Sequence, residues 1–237
     1  MGSFTVFEVA ETGSTNSDLL ALADADAVGD RTALRADHQT AGRGRLDRRW
    51  EAPAGTNLLV SALFTEPPPV PSLLTQAVGR AVLDAVERLV GQDLGGRLGL
   101  KWPNDLLLDE RKLSGVLAQR SAATGAIVVG MGLNVRWAPP DAASLVDGLG
   151  VEVTPGELLD RVLVELDRNL SLPVAEIVGR YRSRLLTLGA RVRLDLPGGE
   201  SCVGVAIDLD ETGRLVIDDG RSTNVFDVGD IVHLRPV

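Results

Sequence analysis

Cysteine and histidine are almost absent from the chain, which limits the chemistry open to it. Cys202 is the only cysteine in 237 residues, and His38 and His233 are the only histidines. A lone cysteine excludes an internal disulfide and a cysteine-based metal site within this sequence. Two histidines far apart in sequence disfavour a zinc centre built on imidazole ligands.

Aromatic side chains and long apolar runs are also scarce. Aromatics make up 3% of the residues against 44% hydrophobic residues, so we expect a core of alanine, valine and leucine. No apolar stretch approaches the roughly 20 residues that span a bilayer. The first residues lack the basic and apolar segments of a signal peptide. We therefore expect a cytoplasmic protein without a membrane partner.

Positive charge is in deficit, and lysine is nearly missing. The formal net charge is -9, which disfavours a general nucleic-acid partner. No helix-turn-helix precedes the first predicted strand. Of the 24 basic residues, only Lys101 and Lys112 are lysines. Codon preference for arginine explains most of this ratio. An ammonium is nevertheless a compact charge that a guanidinium cannot imitate, so both lysines are candidate site residues.

The segment from Gln39 to Trp50 concentrates the positive charge that is present. Four arginines fall within seven residues, opposed only by Asp47: Arg43, Arg45, Arg48 and Arg49. Gly42 and Gly44 allow close backbone approach to a ligand. A solvated basic loop is one interpretation. Trp50 favours a nucleotide site, because an aromatic ring stacks on a base while arginines bind phosphate. Neither a Walker loop nor a dinucleotide-binding turn fits, since no Gly-Lys-Ser/Thr follows and no helix opens here.

Hydrophobic periodicity predicts an α+β protein in two domains. Residues 1–189 are predicted to form a larger domain. Residues 190–237 are predicted to form a small antiparallel barrel or sandwich, because their segments are short, alternating and separated by turns. Strands are predicted at 4–9, 32–36, 57–64, 100–108, 112–118 and 126–135. Helices are predicted from Ser14 to about Ala27 and at 73–90, 157–169 and 174–186, and a loop is predicted at 91–99.

Two short patterns allow either a structural or a ligand-binding interpretation. Ser14, Thr15 and Asn16 begin a helix, where their side chains either cap it or face a polar ligand. Glycines occupy strand positions 115, 130 and 132. They reflect either tight strand packing or room for a flat ligand.

Five stretches, in this order, resemble the biotin–protein ligase family: Ser14-Thr15-Asn16, the Gln39–Trp50 loop, Lys101-Trp102-Pro103-Asn104-Asp105, Arg111-Lys112-Leu113-Ser114-Gly115, and Gly130-Met131-Gly132-Leu133-Asn134. The resemblance covers the larger domain and extends to the small one. It implies a mixed central sheet with packed helices, followed by an SH3-like β-barrel domain. It is closest to the monofunctional ligases that lack an N-terminal DNA-binding domain.

The resemblance implies biotin, ATP and Mg²⁺ as ligands and a biotin carboxyl carrier domain as partner. Biotin is joined to AMP, giving biotinyl-5′-AMP, and is then transferred to a carrier lysine. The implied catalytic residues are Lys112, Arg43 and Arg45. The implied biotin-binding residues are Ser14, Thr15, Asn16, Gln39, Gly42, Arg43, Gly44, Arg45, Lys112, Gly115, Gly130 and Gly132. The implied nucleotide-binding residues are Arg43, Arg45, Arg48, Trp50, Asn104, Asp105 and Asn134, with Asp105 as a Mg²⁺ ligand.

Two residues leave alternatives open. Asp47 stands where the family carries a glycine, and it either weakens adenylate retention or pairs with Arg48 or Arg49. Lys101 matches a family lysine, and it is either catalytic or a structural partner near the site.

The alternative functions are a lipoate- or octanoate-transferring relative and a non-catalytic module that senses biotinyl-adenylate. A monomer and a homodimer both remain open.

Overall fold

Two β-sheets organise the protein, which is seen here as a computed structural model describing residues 4–227 and 229–233. The larger sheet has seven strands in the order β1-β2-β3-β7-β6-β5-β4. Its strands are β1 (Thr5–Thr12), β2 (Thr32–Gln39), β3 (Leu58–Phe64), β4 (Leu98–Lys101), β5 (Asp105–Leu108), β6 (Arg111–Arg120) and β7 (Ile127–Leu133). β1 and β2 are parallel, whereas the other pairs are antiparallel, which confirms the predicted mixed sheet.

Five helices accompany this sheet. They are α1 (Thr15–Asp24), α2 (Ser72–Val90), α3 (Leu145–Leu149), α4 (Pro155–Leu170) and α5 (Val174–Arg182). The apolar residues of α2 recur at helical spacing, and their burial against one face of the sheet forms the main core with α4 and α5. α1 packs on the opposite face, where Leu19 lies in a smaller cluster with Leu34 and Leu63.

Several predicted boundaries require correction. α1 ends at Asp24, before the predicted Ala27. α4 begins at Pro155, because Thr154 and Glu157 form a reciprocal capping box. α5 ends at Arg182, and α3 was not predicted. The predicted 91–99 loop contains a short 3-10 helix at Gly95–Arg97 and the first residues of β4.

The second sheet is antiparallel and has five strands in the order β11-β10-β9-β8-β12. The strands are β8 (Arg191–Asp195), β9 (Ser201–Leu209), β10 (Leu215–Asp218), β11 (Thr223–Phe226) and β12 (Asp230–His233). This agrees with the predicted small β-domain. Val228 and residues 234–237 of the predicted domain lie outside the described residues.

Side-chain contacts dock the second sheet on the first domain. Gln76 of α2 donates to the Gly213 carbonyl at 3.0 Å, and Arg182 of α5 pairs with Asp208. Residues of both domains line one cavity. Among the described residues, no helix has the length and apolar character needed to cross a bilayer.

Candidate active site

A cavity of about 450 Å³ lies between α1, the Gln39–Trp50 loop, β6 and β7. Its volume is in the range of small-molecule sites. The wall includes Ser14, Thr15, Asn16, Gln39, Arg43, Gly44, Arg45, Arg48, Arg49, Trp50, Asn104, Asp105, Lys112, Gly115, Gly130, Gly132, Asp141 and Asp230. Segments more than 200 residues apart in sequence therefore meet around one cavity.

One end of the cavity is an uncharged hydrogen-bonded network. The Thr15 backbone amide and hydroxyl both donate to Gln39 Oε1, at 2.8 and 3.0 Å. Ser61 contacts the Thr15 hydroxyl at 2.7 Å and donates to Asn16 Oδ1 at 2.6 Å. Asn16 in turn donates to Gln119 Oε1 at 2.8 Å. Satisfied buried networks are rigid, so this end presents a fixed polar surface.

The start of α1 is therefore built for this network. Ser14 is the N-terminal cap residue of the helix, but its side chain makes no capping hydrogen bond. Asp18, in the first turn of α1, accepts a hydrogen bond from Thr12. Ser61 and Gln119 belong to no motif of the sequence and were not predicted as site residues. Ser61 did carry a signal, because it is the only polar residue in the otherwise apolar strand β3.

Three glycines lie where side chains from other elements need their space. A Cβ at Gly130 would fall 2.2 Å from Asn16 Oδ1, and a Cβ at Gly132 would fall 2.3 Å from the Trp50 ring. A Cβ at Gly115 would lie 3.0 Å from Lys112 Nζ. Of the two interpretations of the strand glycines, tight packing fits Gly130 and Gly132, because Asn16 and Trp50 lie against them.

Lys112 lies between the polar end of the cavity and the Gln39–Trp50 segment, which is the arginine loop. Its Nζ is 2.7 Å from Asp105 Oδ1, and it lies 5.6 Å from the centroid of the Trp50 ring. The β5–β6 register shifts between Leu106 and Leu107, opposite Lys112. A bulge of this kind redirects a side chain, and here it accompanies the ion pair with Asp105. The indole Nε1 of Trp50 is buried and has no hydrogen-bond partner among the described residues.

Asn134 is buried beside the cavity. Its Oδ1 accepts from Asn57 at 3.2 Å, and its Nδ2 donates to the Ala143 carbonyl at 3.1 Å and the Lys112 carbonyl at 3.4 Å. Its side-chain amide thus braces the protein, and its contact with adenine stays a prediction. Asn134 thereby links β6, which carries Lys112, to the segment that carries Asp141.

The arginine loop folds back on itself as a narrow hairpin. Trp50 donates its backbone amide to the Gly42 carbonyl at 3.0 Å, and Arg43 and Arg49 form an isolated bridge. A Cβ at Gly42 would fall 2.3 Å from the Trp50 carbonyl oxygen. Gly42 therefore permits the closure of the hairpin, and its contact with biotin stays a prediction. Asp47 lies at the tip with a positive φ of 57°.

The second domain holds the loop through two arginines. Arg45 donates to the Gly229 carbonyl at 2.8 Å and to Asn104 Oδ1 at 3.1 Å. Arg48 pairs with Asp230. Burial lowers the pKa of Arg45, although the charges of Asp230 and Asp105 oppose this effect. Burial alone would raise the pKa of Asp230, but its hydrogen bond to Arg48 and the charges of Arg48 and Arg45 lower it. Arg48 is paired with Asp230 and Arg49 with Glu51, so the alternative in which Asp47 pairs with one of them is not found among the described ion pairs.

Two carboxylates in the wall were not foreseen, Asp141 and Asp230. Both lie in segments that carry no motif, so only the fold brings them to the site. Lys101 lies on β4 opposite Asp105, and its charge contributes to the lowered pKa of Asp230. This placement fits the structural alternative for Lys101.

These features define a class of protein. A polar end, a paired lysine and an arginine hairpin around one cavity suit an enzyme that joins a small polar molecule to a nucleotide phosphate. Residues 14–134 match the Biotin/lipoate A/B protein ligase family, and residues 187–234 match the Biotin protein ligase C terminal domain. The chain therefore belongs to the biotin/lipoate protein ligase family.

Individual relatives agree with this assignment. The chain is 44% identical to the biotin–[acetyl-CoA-carboxylase] ligase of Mycobacterium tuberculosis, over 96% of this chain and 88% of that protein. It is 30% identical to the bifunctional ligase/repressor BirA of Escherichia coli, over 92% of this chain and 70% of that protein. The structure of the Aquifex aeolicus biotin protein ligase in complex with biotin and ATP superposes with a TM-score of 0.83 at 30% identity, covering 98% of this chain and 99% of that one.

Proposed function

We propose that the protein is an ATP-dependent biotin–protein ligase acting on a lysine of a biotin carboxyl carrier domain. The observation that carries this proposal is the position of Lys112. Its ammonium lies in one cavity with an uncharged polar network and an arginine hairpin. A small carboxylic acid bound at the polar end would thus meet a nucleotide phosphate at Lys112.

In the first step, a carboxylate oxygen of biotin attacks the α-phosphorus of ATP. The bond from that phosphorus to the bridging oxygen breaks, and pyrophosphate leaves with the electron pair. Both reactants are anionic and repel each other. The Lys112 ammonium neutralises the charge that develops between them. Asp105 positions Lys112 through their ion pair.

Biotin occupies the network end in this proposal. Ser14, Thr15, Asn16 and Gln39 provide hydroxyl and amide groups for the ureido group of biotin. Of these, Thr15 and Asn16 are held by Ser61, which lies beneath them on β3. The rigid network orients the carboxylate toward Lys112, and such positioning lowers the barrier to reaction.

The arginine hairpin binds the nucleotide. Arg43, Arg45 and Arg48 contact phosphate oxygens, and Trp50 stacks on adenine. The unpartnered Nε1–H of Trp50 offers a hydrogen bond to a ligand acceptor. Closure of the hairpin over biotinyl-5′-AMP excludes the water that would hydrolyse it. Asn104 positions Arg45 through their hydrogen bond.

In the second step, the neutral amine of the acceptor lysine attacks the acyl carbon. The bond from that carbon to the phosphate oxygen breaks, AMP leaves with the electron pair, and the amine loses a proton to solvent. The product is a biotinylated lysine. Both steps use one cavity, so the intermediate need not leave it.

We propose that Mg²⁺ arrives with ATP, and that Asp105 is the residue placed to reach it. The described residues contain no group of three histidine, cysteine, aspartate or glutamate residues that could hold a metal ion. The oxygen Oδ1 of Asp105 is already 2.7 Å from the Lys112 ammonium. Mg²⁺ therefore enters as the companion of ATP, bound mainly through phosphates and water.

A pyrophosphate-release assay tests this function. The full chain is incubated with ATP and either biotin, lipoate or octanoate. We expect release with biotin, and we expect Lys112→Ala to remove it while the circular dichroism spectrum is preserved. Release with lipoate or octanoate alone would reassign the substrate. Binding of biotinyl-5′-AMP without any release would indicate a sensing module instead.

A further inference from the structure

Three carboxylates line the cavity, and they differ in whether an ion pair already engages them. Asp105 is paired with Lys112, and Asp230 is paired with Arg48. Asp141 is exposed, and it has no ion-pair partner among the described residues. It is therefore the carboxylate of this wall that remains available to a cation arriving from solvent.

The segment that carries Asp141 is fixed against the catalytic strand. Ala142 donates to the Pro139 carbonyl at 2.9 Å, which closes a turn around Asp141. Ala143 donates to the Lys112 carbonyl at 2.9 Å, and Ala142 forms a bridge with Lys112. Asn134 reinforces this contact by donating to the carbonyls of Ala143 and Lys112. Asp141 thus lies one residue from a backbone pairing with Lys112.

The positive charge at the mouth of the cavity repels the second substrate, which is the acceptor lysine of the carrier domain. Arg43, Arg48 and Arg49 are exposed in the same wall. Arg48 is paired with Asp230 and Arg49 with Glu51, whereas Arg43 has no ion-pair partner among the described residues. An acceptor lysine is an ammonium at neutral pH, with an ordinary pKa of about 10.4. It is repelled by exposed guanidinium groups and attracted by a free carboxylate.

We propose that Asp141 is the residue that receives the ammonium of the acceptor lysine at the mouth of the cavity. It is a specificity-determining residue for transfer, and it selects a primary amine carried on a protein. This role rests on the proposed ligase function. It does not require Asp141 to contact biotin or ATP.

Single-turnover transfer tests the role. Biotinyl-5′-AMP is formed on the full chain from biotin and ATP, and a biotin carboxyl carrier domain is then added. We expect Asp141→Asn to lower kcat/KM for the carrier about three- to fivefold at low salt, as befits an exposed charge pair. We expect Asp141→Lys to lower it further and Asp141→Glu to restore most of it. The difference should shrink at about 1 M salt, where the Debye length is about 3 Å.

Two controls distinguish recognition of the acceptor lysine from a general effect on the adenylate or on surface charge. Hydroxylamine is uncharged at neutral pH, so its reaction with the bound adenylate should change less in Asp141→Asn than transfer to the carrier does. Asp160→Asn removes an exposed carboxylate on α4, away from the cavity, and it should transfer at the parental rate.

Other outcomes would overturn the proposal. Equal carrier kinetics in Asp141→Asn and the parent would exclude the contact. A raised KM for ATP in pyrophosphate release, with unchanged transfer, would place Asp141 on the ribose hydroxyls instead. Absence of adenylate in the parent would mean that the ligase function itself is wrong, which is a distinct result.

Discussion

The guanidinium of Arg48, in the arginine hairpin, is paired with the carboxylate of Asp230, at the start of β12. The two residues are 182 positions apart in the sequence. Together with the hydrogen bond from Arg45 to Gly229, this pair fixes the hairpin on the second domain. Because the same arginines are proposed to bind phosphate, we expect nucleotide binding to compete with Asp230 for Arg48.

Loss of the Asp230 carboxylate should loosen the hairpin. We expect Asp230→Asn to increase the rate of trypsin cleavage within residues 43–49, because Arg48 loses its partner. Biotin with ATP should protect both proteins. Asp208→Asn is the matched control, since it removes the interdomain pair with Arg182 and leaves the hairpin contacts in place. Equal cleavage rates in Asp230→Asn and the control would contradict the role of this pair.

The same pair predicts a pH dependence of stability. The pKa of Asp230 is lowered in the folded protein, whereas an unfolded aspartate has a pKa of about 3.9. The contribution of the pair is therefore present above about pH 4 and is lost as the pH falls through the lowered folded pKa. We expect the parent to exceed Asp230→Asn in free energy of unfolding by at most about 1 kcal/mol near neutral pH. Urea titrations should show this difference shrinking as the pH falls below about 4, and a difference that does not change with pH would refute the linkage.

Gly130 and Gly132 provide a matched pair of substitutions on one strand. Gly130→Ala places a methyl group against Asn16, so it should raise KM for biotin at least tenfold by displacing the polar network. Gly132→Ala places the same group against Trp50, so it should act mainly on KM for ATP. Steady-state pyrophosphate release with each substrate varied measures both. If both variants raise KM for the same substrate, the placement of biotin beside Asn16 and of ATP beside Trp50 is wrong.

The scarcity of lysine should limit self-labelling. Biotinyl-5′-AMP acylates nearby amines, and this chain offers only Lys101, Lys112 and its terminal amine. Arg49→Lys adds an amine in the cavity wall, and Arg88→Lys adds one on α2 beside Glu165. After incubation with biotin and ATP, intact mass spectrometry should show a new adduct in the first variant before the second. Extensive multiple labelling of the parent would contradict the hypothesis that low lysine content protects the enzyme.

The hairpin tip carries a conformational cost that a glycine would remove. Leu46 and Asp47 both have positive φ, at 54° and 57°. A side chain in this region costs roughly 1 kcal/mol, less for aspartate than for most residues. We expect Asp47→Gly to lower KM for ATP about two- to fivefold, by relieving this cost and removing a negative charge. Asp47→Asn removes only the charge, so an equal effect of both variants would assign the whole change to electrostatics.

Local patterns accounted for much of the fold. The apolar spacing of α2 and the apolar run of β3 predicted elements within one residue of their observed ends, because burial of such faces dominates their stability. The ends of α1, α4 and α5 differed from prediction, because they depend on capping and on neighbouring segments. The short helix α3 contains too few residues for a periodic pattern.

The sequence by itself determined the composition of the site: an arginine-rich loop ending in Trp50, a polar helix start, and Lys112 near Asp105. Residue type and short spacing suffice there, because each group lies on one continuous segment. Tertiary structure alone decided that Ser61 supports Thr15, that Asn134 is a buried brace and that Asp230 and Asp141 reach the cavity. These contacts join segments that are distant in the chain, and their geometry follows from strand register and domain docking, which no local pattern encodes.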